Sequence, residues 1–317
     1  MRLKRVLMIA AALLGVARAA AAEDATFQAQ IQGDRYVITR GGQQVATYVV
    51  RDKAILRPYF TDVHAPDGTL VTRHHPPRPG IDAVDHETMH PGLWLAFGEL
   101  GGADFWRNKG QVDSQQFKLK VSSDGVVSWE VRPRYLDGDR EICTEVVRHN
   151  LRSLGDGILL TYHSSFSGET LFAFGDQEEM GLGLRLATPL VVKGGSGTIT
   201  NSEGGKNEKE VWGQQADWCD YSGIVEKDGT KRRAGMLLIP HKDNFRRSWF
   251  HVRDYGLMVA NPFGQNAFTK GEKSRIEVKP GEQLHLRFGI WIYSAAADKQ
   301  PDLGNVAKEY HRLAAER

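Results

Sequence analysis

Tyr36-Val37-Ile38-Thr39-Arg40-Gly41-Gly42-Gln43-Gln44-Val45-Ala46-Thr47-Tyr48-Val49-Val50 places β-branched and aromatic residues on both sides of a glycine pair. Side chains of that kind suit a pleated, half-buried surface, and the glycines supply the positive φ of a tight reversal, so the stretch reads as a β-hairpin. The pattern recurs. Phe117 to Val121 and Val126 to Val131 flank Ser123-Asp124-Gly125, Gly223 to Val225 and Ala234 to Ile239 flank Asp228-Gly229, and Arg275 to Val278 and Leu284 to Tyr293 flank Pro280-Gly281. Further strands are expected at Ala54 to Phe60, Leu93 to Phe97, Ile142 to Asn150, Ile158 to Ser165 and Leu190 to Ile199. The convincing helix is terminal, with Asp302 as its cap and Val306, Tyr310 and Leu313 on one side. Many short strands joined by turns, without βαβ alternation, predict an all-β chain: a large antiparallel β-sandwich with a short C-terminal helix.

The N-terminus reads as an address. Arg2, Lys4 and Arg5 precede the apolar stretch Val6 to Ala17, and small residues run from Ala19 to Ala22. A membrane span needs roughly 20 apolar residues, so this shorter stretch reads as a secretory signal cleaved after Ala19 or Ala22. The expectation is a signal peptide at 1–22, a single β-sandwich domain at 23–317, and a soluble protein, periplasmic or secreted, with no membrane span after cleavage. The formal charge of +2 includes the basic head, which leaves the remainder near neutral and gives no reason to expect nucleic acid. Two cysteines, Cys143 and Cys219, either pair in an oxidising compartment or stay as buried thiols. No GxGxxG, P-loop or internal repeat is present.

Two long connections, Asp62 to Asp104 and Thr200 to Ser222, combine Pro and Gly with His, Trp and Asp, and long connections in a compact fold are commonly functional. The first holds five of the eleven histidines: His64, His74, His75, His86 and His90. Imidazole serves proton transfer near neutral pH, and Asp85, His86 and His90 can gather around one point if the segment turns helically. Their spacing matches no zinc signature, and no metal or other cofactor is expected. A second group is Asp176, Glu178, Glu179 and Arg185, in which adjacent carboxylates point to opposite sides of an extended chain, so one of the two glutamates meets a site. Ala216-Asp217-Trp218-Cys219-Asp220-Tyr221 and Trp249-Phe250-His251-Val252-Arg253-Asp254-Tyr255-Gly256 mix flat aromatic faces with charged hydrogen-bonding groups, the combination a sugar ring requires. For each of these residues a structural role in the core or in an ion pair is the alternative.

Arg57-Pro58-Tyr59-Phe60, Asp85-His86 through His90-Pro91-Gly92-Leu93-Trp94, Asp104-Phe105-Trp106, the Ala216 to Tyr221 run, and Arg253-Asp254-Tyr255-Gly256 with Ala260-Asn261-Pro262-Phe263-Gly264 resemble the PmoA-like family of exported proteins. The resemblance implies a galactose mutarotase-like supersandwich and a link to carbohydrate, and it departs from the family at His86-Glu87-Thr88-Met89-His90, where many members carry a denser histidine run. The resulting expectation is a carbohydrate-active protein working on a saccharide or uronic-acid fragment by His/Glu acid–base chemistry, as hydrolase, lyase or dehydratase, or epimerase. His90 and His251 lead the catalytic candidates, followed by Glu179, His86, Arg253 and Tyr255. His64, Asp85, Trp94, Arg185, Asp217, Trp218, Asp220 and Asn261 are expected to bind the substrate. The alternatives are a non-catalytic carbohydrate-binding protein and a metal-dependent oxidase.

Overall fold

The computed structural model describes residues 26–115, 119–122 and 125–315. Its strands in chain order are β1 (Phe27–Gln32), β2 (Arg35–Arg40), β3 (Gln43–Val49), β4 (Tyr59–Thr61), β5 (Leu93–Phe97), β6 (Gln111–Gln115) and β7 (Lys120–Val121). There follow β8 (Val127–Asp137), β9 (Arg140–Leu154), β10 (Gly157–Ser167), β11 (Phe172–Phe174), β12 (Met180–Arg185) and β13 (Thr198–Asn201). The last are β14 (Cys219–Lys227), β15 (Thr230–Pro240), β16 (Trp249–Arg253), β17 (Leu257–Asn261), β18 (Ile276–Val278) and β19 (Leu284–Ala296). Three helices, α1 (Asn207–Val211), α2 (Gln265–Thr269) and α3 (Leu303–Ala315), complete the described elements.

Two antiparallel sheets face each other. One has eight strands in the order β1-β2-β3-β4-β5-β12-β17-β16, and the other runs β13-β14-β15-β19-β10-β9-β8-β6 with β7 beside β8. Alternation sends every second side chain between them: Leu93, Leu95 and Phe97 of β5, Met180, Leu182 and Leu184 of β12, and Val127, Trp129 and Val131 of β8 share one apolar core. Burying each such side chain contributes roughly 1.5–3 kcal/mol, which is why register is fixed: a one-residue slip would turn the whole set to water.

The alternation also creates two outward faces, each with its own apolar patch. On the eight-stranded sheet Trp94, Ala96, Leu257 and Val259 join Tyr59 and Trp106, and on the nine-stranded sheet Trp291 and Tyr293 are covered by Leu303, Ala307 and Tyr310 of α3. Asp302 caps α3 as expected, accepting a hydrogen bond from Asn305 N at 3.0 Å.

Several expectations are corrected. The strand expected at Leu190 to Ile199 is a 3-10 turn at Thr188–Leu190 followed by a glycine-rich reversal, and pairing starts only at Thr198, because Pro189 and Gly194 at φ +85° break the extended chain. Ala54 to Phe60 is mostly a bend: Asp52 accepts hydrogen bonds from Ala54 and Ile55 N, which leaves the short strand β4. The hairpin expected around Pro280-Gly281 does not pair with itself, since β18 pairs with β11 and β19 with β10 and β15. Helices α1 and α2 add to the terminal helix expected from sequence. The hairpin expected around Ser123-Asp124 is present as β7 with β8, with residues 117, 118, 123 and 124 outside the described residues, as is the expected signal peptide. Cys143 and Cys219 are buried free thiols.

Gly289 of β19 lies beneath Tyr310, where an added Cβ would meet the ring at 2.7 Å. Tyr310→Ala should therefore cost about 3–5 kcal/mol of stability in urea unfolding, the range for removing a buried aromatic ring. A loss below about 1 kcal/mol, the size of an ordinary substitution, would show that α3 is not part of the stable core.

Candidate functional site

The outer face of the eight-stranded sheet brings together the residues from distant parts of the chain. Register places His251, Val259, Gly183 and Trp94 side by side across β16, β17, β12 and β5, and places Arg253, Leu257 and Arg185 in the adjoining row. Gly183 is required there: a Cβ would come within 2.8 Å of the Trp94 indole and 3.2 Å of Trp106. Over this floor lies the first long connection, tied down by three buried guanidiniums. Arg57 donates to the carbonyls of Trp106 and Met89 at 2.9 and 2.6 Å, and Arg73 donates to those of Ala83, Asp85 and His90 at 2.8, 2.7 and 3.0 Å. Arg185, 1 % exposed, donates through Nη1 and Nη2 to Asp85 Oδ2 and Oδ1 at 3.0 and 2.8 Å. Buried cations need such partners, so the three arginines fix the path of the loop.

The segment from His86 to His90 makes a single turn, with His90 N bonded to the His86 carbonyl at 2.8 Å. Gly92 then passes where a Cβ would meet the Phe60 carbonyl at 2.2 Å, at φ +146°. The turn stacks the two imidazoles at 4.9 Å, with Trp94 under His90 at 5.1 Å and Tyr255 beside His86 at 6.3 Å, so four flat rings form one pile. Arg185 sits 4.4 Å over the Tyr255 ring.

Charge is distributed unevenly along the pile. His90 is 2 % exposed, and burial, aided by Arg185 and other nearby cations, pushes it down to about 2, so it is neutral. The expectation that His90 leads proton transfer is therefore revised: it is a neutral spacer between rings. His86 is different. Its side chain is 41 % exposed, and its Nδ1 lies 2.8 Å from Asp85 Oδ2. Burial opposes ionisation of Asp85, yet hydrogen bonds from Arg185 and His86 outweigh it and hold the carboxyl at about 2. An ionised carboxylate only accepts, so Nδ1 donates to Asp85, and Nε2 is the ring nitrogen turned from that carboxylate. Burial raises the Tyr255 phenol, with Arg185 opposing.

A second group sits on β16, three strand spacings from Trp94 of β5, roughly 14 Å. His251 is buried, its Nδ1 faces the Glu178 carbonyl at 3.2 Å and its Nε2 lies 3.8 Å from Glu178 Oε2. Burial and then Arg253 push it down to about 4, so it too is neutral at pH 7. Arg253 bridges Glu178 at 3.5 Å and Glu208 of α1 at 2.9 Å, and its guanidinium lies over Trp212. Glu178 is thus the glutamate turned to this group, whereas Glu179 pairs with Arg107.

Other candidates fall elsewhere. Asn261 is fully used: its amide nitrogen donates to the Gln177 and Glu178 carbonyls and its oxygen accepts from Phe263 and Gly264 N, so it positions Glu178 and leaves no group for a substrate. Trp94 is the buried floor. His64 is bonded at 2.7 Å to the carbonyl of Asp62 in its own turn. Asp217, Trp218 and Asp220, expected to bind the substrate, lie away from the His86 and His251 groups. Asp217 pairs with Arg247, Trp218 packs against the α3 patch, and Asp220 is buried beneath it against Tyr293 and Ser222, all on the nine-stranded side, because β14 belongs to that sheet. Reading missed Glu208 and Trp212, which stand in the second long connection but outside its aromatic run, and chose Glu179 over Glu178, which needed the actual turn before β12.

A cavity of about 280 Å³ opens beside this site, lined by Arg73, Arg185, Thr188, Val191, Lys193 and Tyr255 among others. Among the described residues no group of three or more His, Cys, Asp or Glu is gathered so as to hold a metal ion, and no helix is long and apolar enough to cross a membrane.

Residues 35–303 match a family described as a family of unknown function, DUF6807, and the chain belongs to that family. No curated protein matches the sequence. Among solved structures, a chain described as a kojibiose phosphorylase from human microbiome matches with TM-score 0.40 and 7 % identity, over 91 % of this chain and 33 % of that one. A galactose mutarotase-like protein from Clostridium acetobutylicum matches with TM-score 0.39 and 11 % identity, over 86 % and 99 %. An alpha-galactosidase from Lactobacillus brevis gives TM-score 0.39 and 9 % identity, over 86 % and 39 %. This chain thus spans about a third of the first of these and two fifths of the third. Likeness at this level leaves substrate and chemistry to be read from the residues themselves.

Asp220 supplies a test of its structural role. Burial raises its carboxyl to about 7, against hydrogen bonds from Ser222 and Tyr293. A folded-state value above the unfolded one stabilises fully at low pH, and that contribution is lost as pH rises from about 4 through about 7. Asp220→Asn should flatten this part of the stability profile, measured by urea unfolding at pH 4 to 8. An unaltered pH dependence in the variant would remove Asp220 as its source.

Proposed function

We propose that this member of a family of unknown function acts on a saccharide or uronic-acid fragment by acid–base chemistry centred on His86. The observation that carries the reading is the ordered chain Arg185–Asp85–His86, which orients an exposed imidazole with Nε2 turned from the carboxylate, beside the Tyr255 phenol. Arg73 and Arg185 at the adjoining cavity are engaged by Asp85, with Asp82 also at its edge through Thr188, and Lys193 is the lining cation that a sugar carboxylate would meet. For a uronate, His86 Nε2 takes the proton α to the carboxylate, the C–H pair becomes a double bond, the C–O bond β to the carboxylate breaks, and the Tyr255 hydroxyl protonates the departing oxygen. With water as the attacking group the same pair serves hydrolysis, and with proton return to the opposite face it serves epimerisation. His251, Glu178 and Arg253 supply a neighbouring polar subsite.

The same proposal takes residues 1–22 as an export signal, residues 23–317 as one domain working in the periplasm or outside the cell, and the shared motifs as those of the PmoA-like family. A panel of neutral and uronate-containing oligosaccharides, followed by mass change, is the test. Two fragments that sum to the substrate mass, two fragments that sum to that mass plus one water, and an uncleaved substrate of unchanged mass with altered stereochemistry separate elimination, hydrolysis and epimerisation. His86→Asn should lower kcat by about 100-fold or more, the size of a lost general base, with a smaller change in KM. Full turnover in that variant contradicts the assignment, and affinity without any product marks a non-catalytic carbohydrate-binding protein.

A further inference from the structure

Another cavity, of about 500 Å³, lies on the outward face of the nine-stranded sheet. That volume is within the usual range for a small-ligand site. Alternation produces it: while Val127, Trp129 and Val131 of β8 enter the core, Ser128 and Glu130 point away from it. Register then aligns Glu130, Arg148, His163 and Arg287 in one row across β8, β9, β10 and β19, with Ser128, Asn150 and Thr161 in the next. Three strand spacings make a floor about 14 Å across.

The floor is polar and its charge is unbalanced. Glu130 is shared by Arg148 at 2.8 Å and Arg132 at 2.9 Å, Arg287 makes no ion pair among the described residues, and Lys120 stands at the rim. Hydrogen-bonding side chains run beside the cations: Ser128 donates to Asn150 at 2.8 Å, Asn150 donates to Thr161 at 3.2 Å, and the exposed His285 meets Ser165 at 2.8 Å. A compact anion would touch one row. A ligand matching the whole floor carries negative charge and many hydroxyls over several rings.

We infer that this face binds an acidic oligosaccharide, bearing carboxylate or sulfate, at a site separate from His86. The site stands on its own residues and does not depend on catalysis at the other face. Calorimetric titration of the full chain with tri-galacturonate, a sulfated trisaccharide and neutral maltotriose tests it, in the His86→Asn background so that turnover consumes nothing. Binding of either acidic trisaccharide, weakened by salt and absent for maltotriose, is expected, and comparison of the two acids tells carboxylate from sulfate. Arg287→Gln and the exposed His285→Gln, each folded by unchanged thermal unfolding, should weaken one class of binding about tenfold. Binding by neither acid, equal binding of maltotriose, or unchanged affinity and stoichiometry in both folded variants would overturn it.

Discussion

The double hydrogen bond between Arg185 and Asp85 joins residues a hundred positions apart and decides where the first long connection lies. Arg185 ends β12 on the outward face, almost wholly buried, and a guanidinium there without an acceptor would be strongly destabilising. Asp85 meets that need and in doing so orients His86, brings the His90 ring over Trp94, and lets Tyr255 close under the guanidinium. Arg57, from the bend before β4, and Arg73, from within the connection itself, extend the same device to the loop's carbonyls, so a segment with little regular structure of its own is held by buried guanidiniums.

Much of the architecture was legible because period two is a direct consequence of a sheet with one buried face. The hairpins at Gly41-Gly42 and Asp228-Gly229 and the long strands β9 and β10 follow from it, and so does the cap of α3 at Asp302. The failures share a cause. Arg275 to Val278 has strand chemistry but pairs with β11, a choice made by tertiary contacts that local pattern does not encode, and Leu190 to Ile199 has apolar residues whose extension Pro189 and the glycines interrupt. At the site, the imidazole cluster and the Arg253-Asp254-Tyr255 segment were identified and do converge, through the rings of His86 and Tyr255. What sequence could not rank was exposure: His90 and His86 are equivalent in composition, and only the stacking order makes one a neutral spacer and the other an open imidazole. Asp217, Trp218 and Asp220 lie at and just before β14, which belongs to the other sheet, a placement that local pattern does not encode.

Buried ionisable groups couple stability to pH in opposite senses. His90 and His251 stay neutral when folded, so protonating the unfolded chain as pH falls below about 6.5 favours unfolding. Glu145, bonded to Tyr135 and Ser164 within the core, is raised to about 7 by burial, as Asp220 is, and these two favour the folded state most in acid. Burial lowers His149 in the interior to about 3 and His241 beside α3 to about 4, so the interior and the α3 side carry both senses.

Hydrogen exchange followed by mass spectrometry on Arg185→Gln reads the central constraint most directly. Opening free energies report how firmly a segment is held, and the amides of Asp82, Met89 and His90 are bonded within the covering loop. The account predicts that exchange in residues 82–92 accelerates by an order of magnitude or more while β9 and β10 keep their protection. Unchanged exchange across 82–92 would mean that the Arg185–Asp85 pair does not hold the site together.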